Sequence, residues 1–544
     1  MWFQTRKSIL RRAVDATSSE RPARKTGALA ALLCAACLSP FAAADRAYAQ
    51  EADFSLSTDQ AALRRVSGML MLDYSSLTLS NGGDFDLMSL HYLQRVNDWL
   101  SYGVGAFAPM TEGNYGGFFG ADLALHAQRQ IYGNWFINGG LAFGVGAGGQ
   151  SLGQSRTLSG DGVFGRVYAG IGYQARHFSF GVNYARVAIL NSQINDGTLS
   201  FFVQRPLHFS VGRYADAGRI VRADTPGLPE HENILSFQAN NFVQINPTGS
   251  YTGDIGNASV QFTHFLNRDV YTFIAADLGT TGVPLYNQAH AGIGRRFALT
   301  RNVNLYTQLG VGSSGWATNT VDTGPGFFIY PKATLEYLWH NGLGLTLAAG
   351  YMRAPLGTSR NWTVGVGLNY HLSRGEAEPD GDYALRGVRL NVLGRRTSRV
   401  FYNGRTSEPL NLIAVQADYV LNDHWYLTGQ IAAAGNTFRS YAGYAEAYAG
   451  LGWQSRMFAS GRLQAYAQLM YGINPVGIDP AHEVGGLLYP ALGMFYHVND
   501  RLSVYSQLGT VVSTGQYLSG MNNRFRHSSL GFGLTYRFTL PTRS

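Results

Sequence analysis

The stretch Ser529–Phe538, SLGFGLTYRF, alternates two kinds of side chain. Leu530, Phe532, Leu534, Tyr536 and Phe538 fall on one face of an extended chain. Ser529, Gly531, Gly533, Thr535 and Arg537 fall on the other, because strand side chains alternate with period two. One face is apolar and aromatic; the other is small and polar. Strands of the same kind, PLHFSVGRY from Pro206 and WTVGVGLNYHL from Trp362, occur twice earlier. A soluble sandwich would turn the apolar face toward a second sheet, whereas a membrane barrel turns it toward lipid.

The connections separate these two. Short turns fall at Asn97-Asp98, Gly133-Asn134, Arg176-His177, Asn267-Arg268, Arg301-Asn302, Asn341-Gly342, Asn422-Asp423, Phe458 to Gly461 and Asn499-Asp500. Between them run longer connections rich in Gly, Ser, Thr and Asn, such as GAGGQSLGQSRTLSGDG (Gly146 to Gly162), SSGWATNTVDTGPG (Ser313 to Gly326) and STGQYLSGMNN (Ser513 to Asn523). Short turns and long loops alternate, and the strands between them run to roughly 10 to 14 residues, as in membrane barrels. Asn, Asp and Gly suit the short turns because they tolerate positive φ.

Composition agrees with many short strands: 67 glycines and 13% aromatics against 17 prolines and 14% charged residues. The first 49 residues read as an export leader, with a basic segment to Lys25, the apolar run GALAALLCAACL (Gly27 to Leu38) and AYA ending at Ala49, where cleavage is expected. No later stretch has the roughly 18 uninterrupted apolar residues of a transmembrane helix. Both cysteines, Cys34 and Cys37, lie in the leader, so residues 50–544 hold no disulfide, thiolate metal site or cysteine nucleophile. Eight of the 42 basic residues but three of the 34 acidic ones also lie there, so the net +8 falls to +3 after it. Lys332 is then the single lysine, and the scattered arginines form no basic stripe, which excludes a nucleic-acid partner.

On these residues the chain resembles the bacterial outer-membrane β-barrel superfamily over nearly all of residues 54–538. The resemblance implies an antiparallel transmembrane barrel in the outer membrane of a Gram-negative bacterium. It also implies contact with outer-membrane lipid and lipopolysaccharide, and insertion by the outer-membrane assembly machinery, for which Leu534, Tyr536 and Phe538 of the closing strand would be the signal. The chain departs from that pattern in one respect, because TLPTRS follows Phe538 where such strands usually stop.

A second, longer period is also present. AHAGIGRRF (Ala289 to Phe297) recurs as AYAGLGWQS (Ala447 to Ser455), and IYPKATLEY (Ile329 to Tyr337) as LYPALGMFY (Leu488 to Tyr496), at an offset of about 160 residues. The chain therefore divides into eight-stranded modules at 54–213, 233–373 and 387–538, joined by polar linkers at 214–232 and 374–386. This gives an all-β, antiparallel transmembrane architecture of about 24 strands as three repeats of eight. Either one wide barrel or several smaller barrels in tandem satisfies it. Inward residues such as Ser259, Gln261 and Thr263, or Tyr448, Gly450, Gly452 and Gln454, are small and hydrophilic, which suits a wet lumen and predicts the single barrel.

Lumen-lining candidates follow from the same register: Asp122, His126 and Gln128 on one strand, Glu446, and the repeated pairs Tyr306–Gln308, Tyr466–Gln468 and Tyr505–Gln507. Tyrosines with amides suit sugar rings, while a charged patch would select what passes. The 13 histidines include no His-x-x-x-His pair and there is no serine elbow, so no catalytic residue, metal or cofactor is expected. The expected function is a channel, first as a conduit for a surface polymer such as a polysaccharide, working with periplasmic or inner-membrane export partners. The alternatives are a general or solute-selective porin, and a non-conducting structural or adhesive protein of several small barrels.

Overall fold

A computed structural model describes residues 63–543 apart from 149–157, 159, several positions between 223 and 230, 284–285, 317–318, 340–341, 374–381, 403–404, 439–443, 477–485 and 514–524. The export leader and most of two quoted loops, 146–162 and 513–523, lie outside the described residues.

The first eight strands are β1 (Arg64–Thr78), β2 (Asp84–Arg95), β3 (Leu100–Ala108), β4 (Phe118–Tyr132), β5 (Trp135–Gly148), β6 (Val163–Gln174), β7 (Ser179–Ile189) and β8 (Asn195–Val211). A two-residue strand, β9 (Ile220–Val221), follows. The next eight are β10 (Asn233–Gln244), β11 (Ile255–Phe265), β12 (Val270–Thr281), β13 (Asn287–Ala298), β14 (Val303–Gly315), β15 (Phe327–Leu338), β16 (Leu343–Arg353) and β17 (Arg360–Ser373). The last are β18 (Tyr383–Tyr402), β19 (Arg405–Val420), β20 (Trp425–Ala434), β21 (Ala445–Gln454), β22 (Leu463–Val476), β23 (Leu487–His497), β24 (Leu502–Ser513) and β25 (Phe525–Arg543).

These strands close three times, which corrects the expectation of one wide barrel. β1 pairs with β8 from Arg64↔Val211 to Ser75↔Ser200, β10 with β17 from Asn233↔Ser373 to Gln244↔Asn361, and β18 with β25 from Tyr383↔Arg543 to Tyr402↔Phe525. The result is three closed antiparallel barrels of eight strands, the tandem alternative. Period two could not separate the alternatives, because an inward side chain keeps its parity whichever strand closes the sheet.

The short turns are built differently from the positive-φ hairpins expected of them. Asn97, Asn267, Asn422 and Asn499 are not among the residues with positive φ. Instead each side-chain oxygen accepts two backbone N–H groups further on: Asn97 Oδ1 from Trp99 (3.0 Å) and Leu100 (2.8 Å), Asn499 Oδ1 from Arg501 (2.8 Å) and Leu502 (2.7 Å). Asn267 and Asn422 repeat the arrangement. An Asx turn closes the hairpin through the side chain, so the recurring Asn is a hydrogen-bond acceptor. Positive φ is used at Gly133, Gly342 and Gly461.

Outward residues form an apolar surface on each barrel, with Phe201, Leu347 and Ile431 all exposed. Trp99, Trp135, Trp339, Trp425 and Trp453 stand exposed beside the short turns. Such an aromatic band marks a membrane interface.

The chain past Phe538 is structural. β25 continues to Arg543, pairing Thr539–Arg543 with Gly387–Tyr383, and β9 pairs with the other edge of β18 at Tyr383 and Ala384. Gly212, at the end of the first barrel, exchanges both backbone hydrogen bonds with Thr539 (3.0 and 3.1 Å). The first linker thus docks on the third barrel, where Asp216 is held by Arg213 (3.2 Å) and Arg219 (3.0 Å). Residues 383–386, read from sequence as linker, are strand for the same reason. On β25, Leu530 and Phe532 are exposed, whereas the expected assembly-signal residues Leu534, Tyr536 and Phe538 are half-buried on a strand that touches β8 and β17.

Candidate functional site

The chemistry-bearing side chains are gathered inside the three barrels. In the third, Arg389 and Arg395 share the inward parity of Asn391, while Leu390 faces out. Arg389 Nε donates to Asp418 Oδ2 (3.0 Å) and Nη1 to Gln454 Oε1 (2.7 Å). Its guanidinium carbon lies 4.3 Å from the Tyr426 ring centre and 4.8 Å from that of Phe495, so the cation is held between two aromatic faces. Arg395 Nη1 donates to Glu446 Oε2 (3.1 Å) and Gln430 Oε1 (2.9 Å), and Nη2 to Ser529 Oγ (3.2 Å). Glu446 Oε1 takes Tyr444 Oη (2.6 Å) and faces His527 Nε2 (2.7 Å). Every one of these residues is buried.

The second barrel is organised around Glu336 and Lys332. Glu336 accepts from Asn304 (2.8 Å), Tyr306 (2.7 Å) and Asn369 (2.7 Å), and faces His371 Nε2 at 2.9 Å. Lys332 Nζ donates to Gln238 Oε1 (3.1 Å) and Gln261 Oε1 (3.4 Å). A cavity beside it, lined by Ser236, Gln238, Gln308 and Thr334 among others, has room for about one water molecule. In the first barrel Arg166 Nη1 lies 2.6 Å from Asp73 Oδ1, and His91 Nε2 lies 2.9 Å from Asp122 Oδ1.

At the short-turn end of the second barrel, Glu232 precedes β10 and meets His371 Nδ1 (2.6 Å) and Arg296 Nη1 (2.5 Å). Burial pushes its carboxyl up, but the hydrogen bonds and charges of His371 and Arg296 outweigh this and hold it below its ordinary value of 4.5. A depressed carboxylate stabilises the fold above its unfolded pKa, and the stabilisation is lost as pH falls through the folded value. Glu232→Gln is therefore expected to flatten the acid limb of the urea-midpoint-versus-pH curve below pH 4.5. A variant with an unchanged acid limb would contradict this.

No family model matches the chain, and no curated protein does. Among solved structures, it is similar to neisserial surface protein A, 13% identical over 28% of this chain and 96% of that one, with a TM-score of 0.22. It is similar also to OccAB3 of Acinetobacter baumannii (9% identical, 87% and 99% of the chains, TM-score 0.22) and to the copper transporter OprC (11%, 89% and 81%, TM-score 0.30). The likeness is to bacterial outer-membrane β-barrel proteins.

The residues singled out by sequence are distributed among the three interiors and line no common lumen. Asp122 and His126 are buried in the first barrel, with His126 Nδ1 2.8 Å from Tyr168 Oη and half-buried Gln128 3.4 Å from His126 Nε2. Tyr306 and Gln308 are in the second barrel; Glu446, Tyr466, Gln468, Tyr505 and Gln507 are in the third. The tyrosine–glutamine pairs are engaged internally: Tyr306 donates to Glu336, Gln308 exchanges hydrogen bonds with Gln261 (3.2 and 3.1 Å), and Tyr466 donates to Ser506 O (3.0 Å). The expectation that small, hydrophilic inward residues line a wet lumen is corrected by the buried ion pairs Arg166–Asp73, Arg389–Asp418 and Arg395–Glu446. The partners lie on different strands far apart in sequence, so no window along the chain shows them together. The signal available was parity, which turns Arg389, Arg395 and Glu446 inward.

Proposed function

We propose that the chain is a non-conducting outer-membrane protein, in which three filled barrels anchor and space a loop-bearing surface for structural or adhesive contacts. The observation that carries this reading is the side-chain filling of the interiors, clearest where Arg389 and Arg395 cross the third barrel in ion pairs with Asp418 and Glu446. A polymer conduit or a solute porin needs a wet lumen, which barrels of 16 or more strands leave and eight-stranded ones do not. Fixed spacing of the loop ends supports the same reading. Gly116 N donates to Gly324 O (2.9 Å), Phe327 N to Met110 O (3.0 Å) and Asn287 Nδ2 to Gly117 O (3.1 Å), tying the β3–β4 loop of the first barrel to the second. The closing-strand residues Leu534, Tyr536 and Phe538 keep their proposed role as the signal for the assembly machinery.

Planar-bilayer recording tests this. Protein shown to be folded by heat-modifiable migration is expected to give no steady conductance. A large, stable conductance that sugars or polymers block would overturn the reading in favour of the conduit or porin.

A further inference from the structure

Lys332 is the single lysine of residues 50–544, and it is buried inside the second barrel. Tyr330, Lys332 and Thr334 share the inward parity of β15. Register places Gln308 of β14 on one side of Lys332 and Gly350 of β16 on the other, so its β16 partner carries no side chain.

Among the described residues the amine meets only neutral acceptors. Nζ donates to Gln238 Oε1 (3.1 Å) and Gln261 Oε1 (3.4 Å) and stands 5.8 Å from the Tyr330 ring centre. No carboxylate of a described residue lies within 4.0 Å of it. The buried acids of this barrel are engaged elsewhere: Glu232 and Glu336 share His371, while Asp277 accepts from Gln288 Nε2 (2.7 Å) and has His290 Nδ1 3.7 Å away. A buried ammonium without a counter-charge is costly, and charges taken out of water are ordinarily paired.

The cavity beside Nζ has room for about one water molecule. Its polar lining includes the Ser236 and Thr334 hydroxyls and the amides of Gln238, Gln261 and Gln308. Hydroxyls and amide N–H groups are donors that can turn toward an anion. Phosphate, sulfate and carboxylates are too large for a space of this size. A monatomic anion matches it in both size and charge.

We propose that the cavity binds a chloride ion as the counter-charge of Lys332, with the Ser236 and Thr334 hydroxyls turned toward it. The ion completes the pairing of the lysine and occupies the space left between β10, β14 and β15. These groups come together only when the barrel closes, so chloride binds the folded chain and not the unfolded one. By mass action it then stabilises the fold, increasingly as its concentration passes the dissociation constant.

Crystals of the full chain soaked in bromide, which replaces chloride and scatters anomalously, test the site directly. An anomalous peak beside Lys332 Nζ is expected; its absence, with density for water only, overturns the proposal. In detergent solution, urea midpoints are compared in sodium chloride and sodium gluconate at equal ionic strength, because gluconate is too large for the cavity. The wild-type midpoint is expected to rise with chloride, and Lys332→Met, shown to be folded by heat-modifiable migration, is expected to lose that rise. A wild-type midpoint indifferent to chloride overturns the proposal even beside a bromide peak, which then reports binding at crystal concentration only. A rise retained by the folded variant overturns it too, because the ion then acts elsewhere. Where Lys332→Met does not fold, Thr334→Val keeps the lysine and the volume but removes one donor. It is expected to blunt the rise, and an unchanged rise overturns the proposal.

Discussion

Arg395→Ala is expected to destabilise the third barrel by about 3–5 kcal/mol, the range for leaving one partner of a buried ion pair uncompensated. The side chain supplies donors to Glu446, Gln430 and Ser529, and its guanidinium lies 4.6 Å from the Tyr489 ring centre. Truncation therefore strips one charged donor from Glu446 and opens a void in the interior. Glu446 keeps Tyr444 and His527, which places the effect below what total isolation of the carboxylate would give. The measurement is the urea dependence of folding in lipid vesicles, followed by tryptophan fluorescence. The double variant Arg395→Met with Glu446→Leu should be less destabilised than either single change, because apolar replacement of a whole buried pair is often close to neutral. The same numbers bear on function: a water-filled interior would screen the pair, and the single change would then cost about 0–1 kcal/mol, as exposed pairs do.

What could be read from the sequence and what could not divide along one physical line. Facing was legible, since period two turned Tyr306, Gln308, Gln468 and Gln507 inward correctly while leaving Phe532 and Leu530 outward. The alternation of short turns and long loops was legible too, and with it the common orientation of the hairpins. Closure was not. The pairing of β8 with β1 uses the same parity that a continuous sheet from β8 to β10 would have used, so alternation carries no information about it. The discriminating fact is the mutual pairing of inward charges, and Asp73 finds Arg166 across the barrel, not along a strand. Sequence read along one strand at a time made these interiors look polar and sparse, although together they fill the space. The tail after Phe538 shows the same limit, because its pairing with β18 and its bridge to Gly212 join segments that are remote in the chain.

Glu336 in the second barrel is expected to be the most sensitive single position there, with Glu336→Ala destabilising by about 3–5 kcal/mol. Its two oxygens serve Asn304, Tyr306, Asn369 and His371, and its side chain is fully buried. Removing it leaves those polar groups facing a void that hydrocarbon cannot satisfy, and each such buried group costs about 1–3 kcal/mol unless it finds another partner. Relaxation and an entering water would recover part of the sum, which is why the expected total stays near that of one broken buried ion pair. Glu336→Gln keeps the volume and one acceptor oxygen, but its amide N–H groups point at donors, so it should fall between wild type and alanine. His371 sharpens the argument. Its ring lies between Glu232 and Glu336, and as imidazolium it donates to both carboxylates, so losing Glu336 also weakens what holds Glu232 at the short-turn end. Glu336→Ala combined with Glu232→Gln should therefore destabilise by less than the sum of the two single changes, in a double-mutant cycle read from urea midpoints. Strict additivity would mean that the two ends of this chain of hydrogen bonds act independently, and the interior of the second barrel would then be a set of separate pairs, not one connected plug.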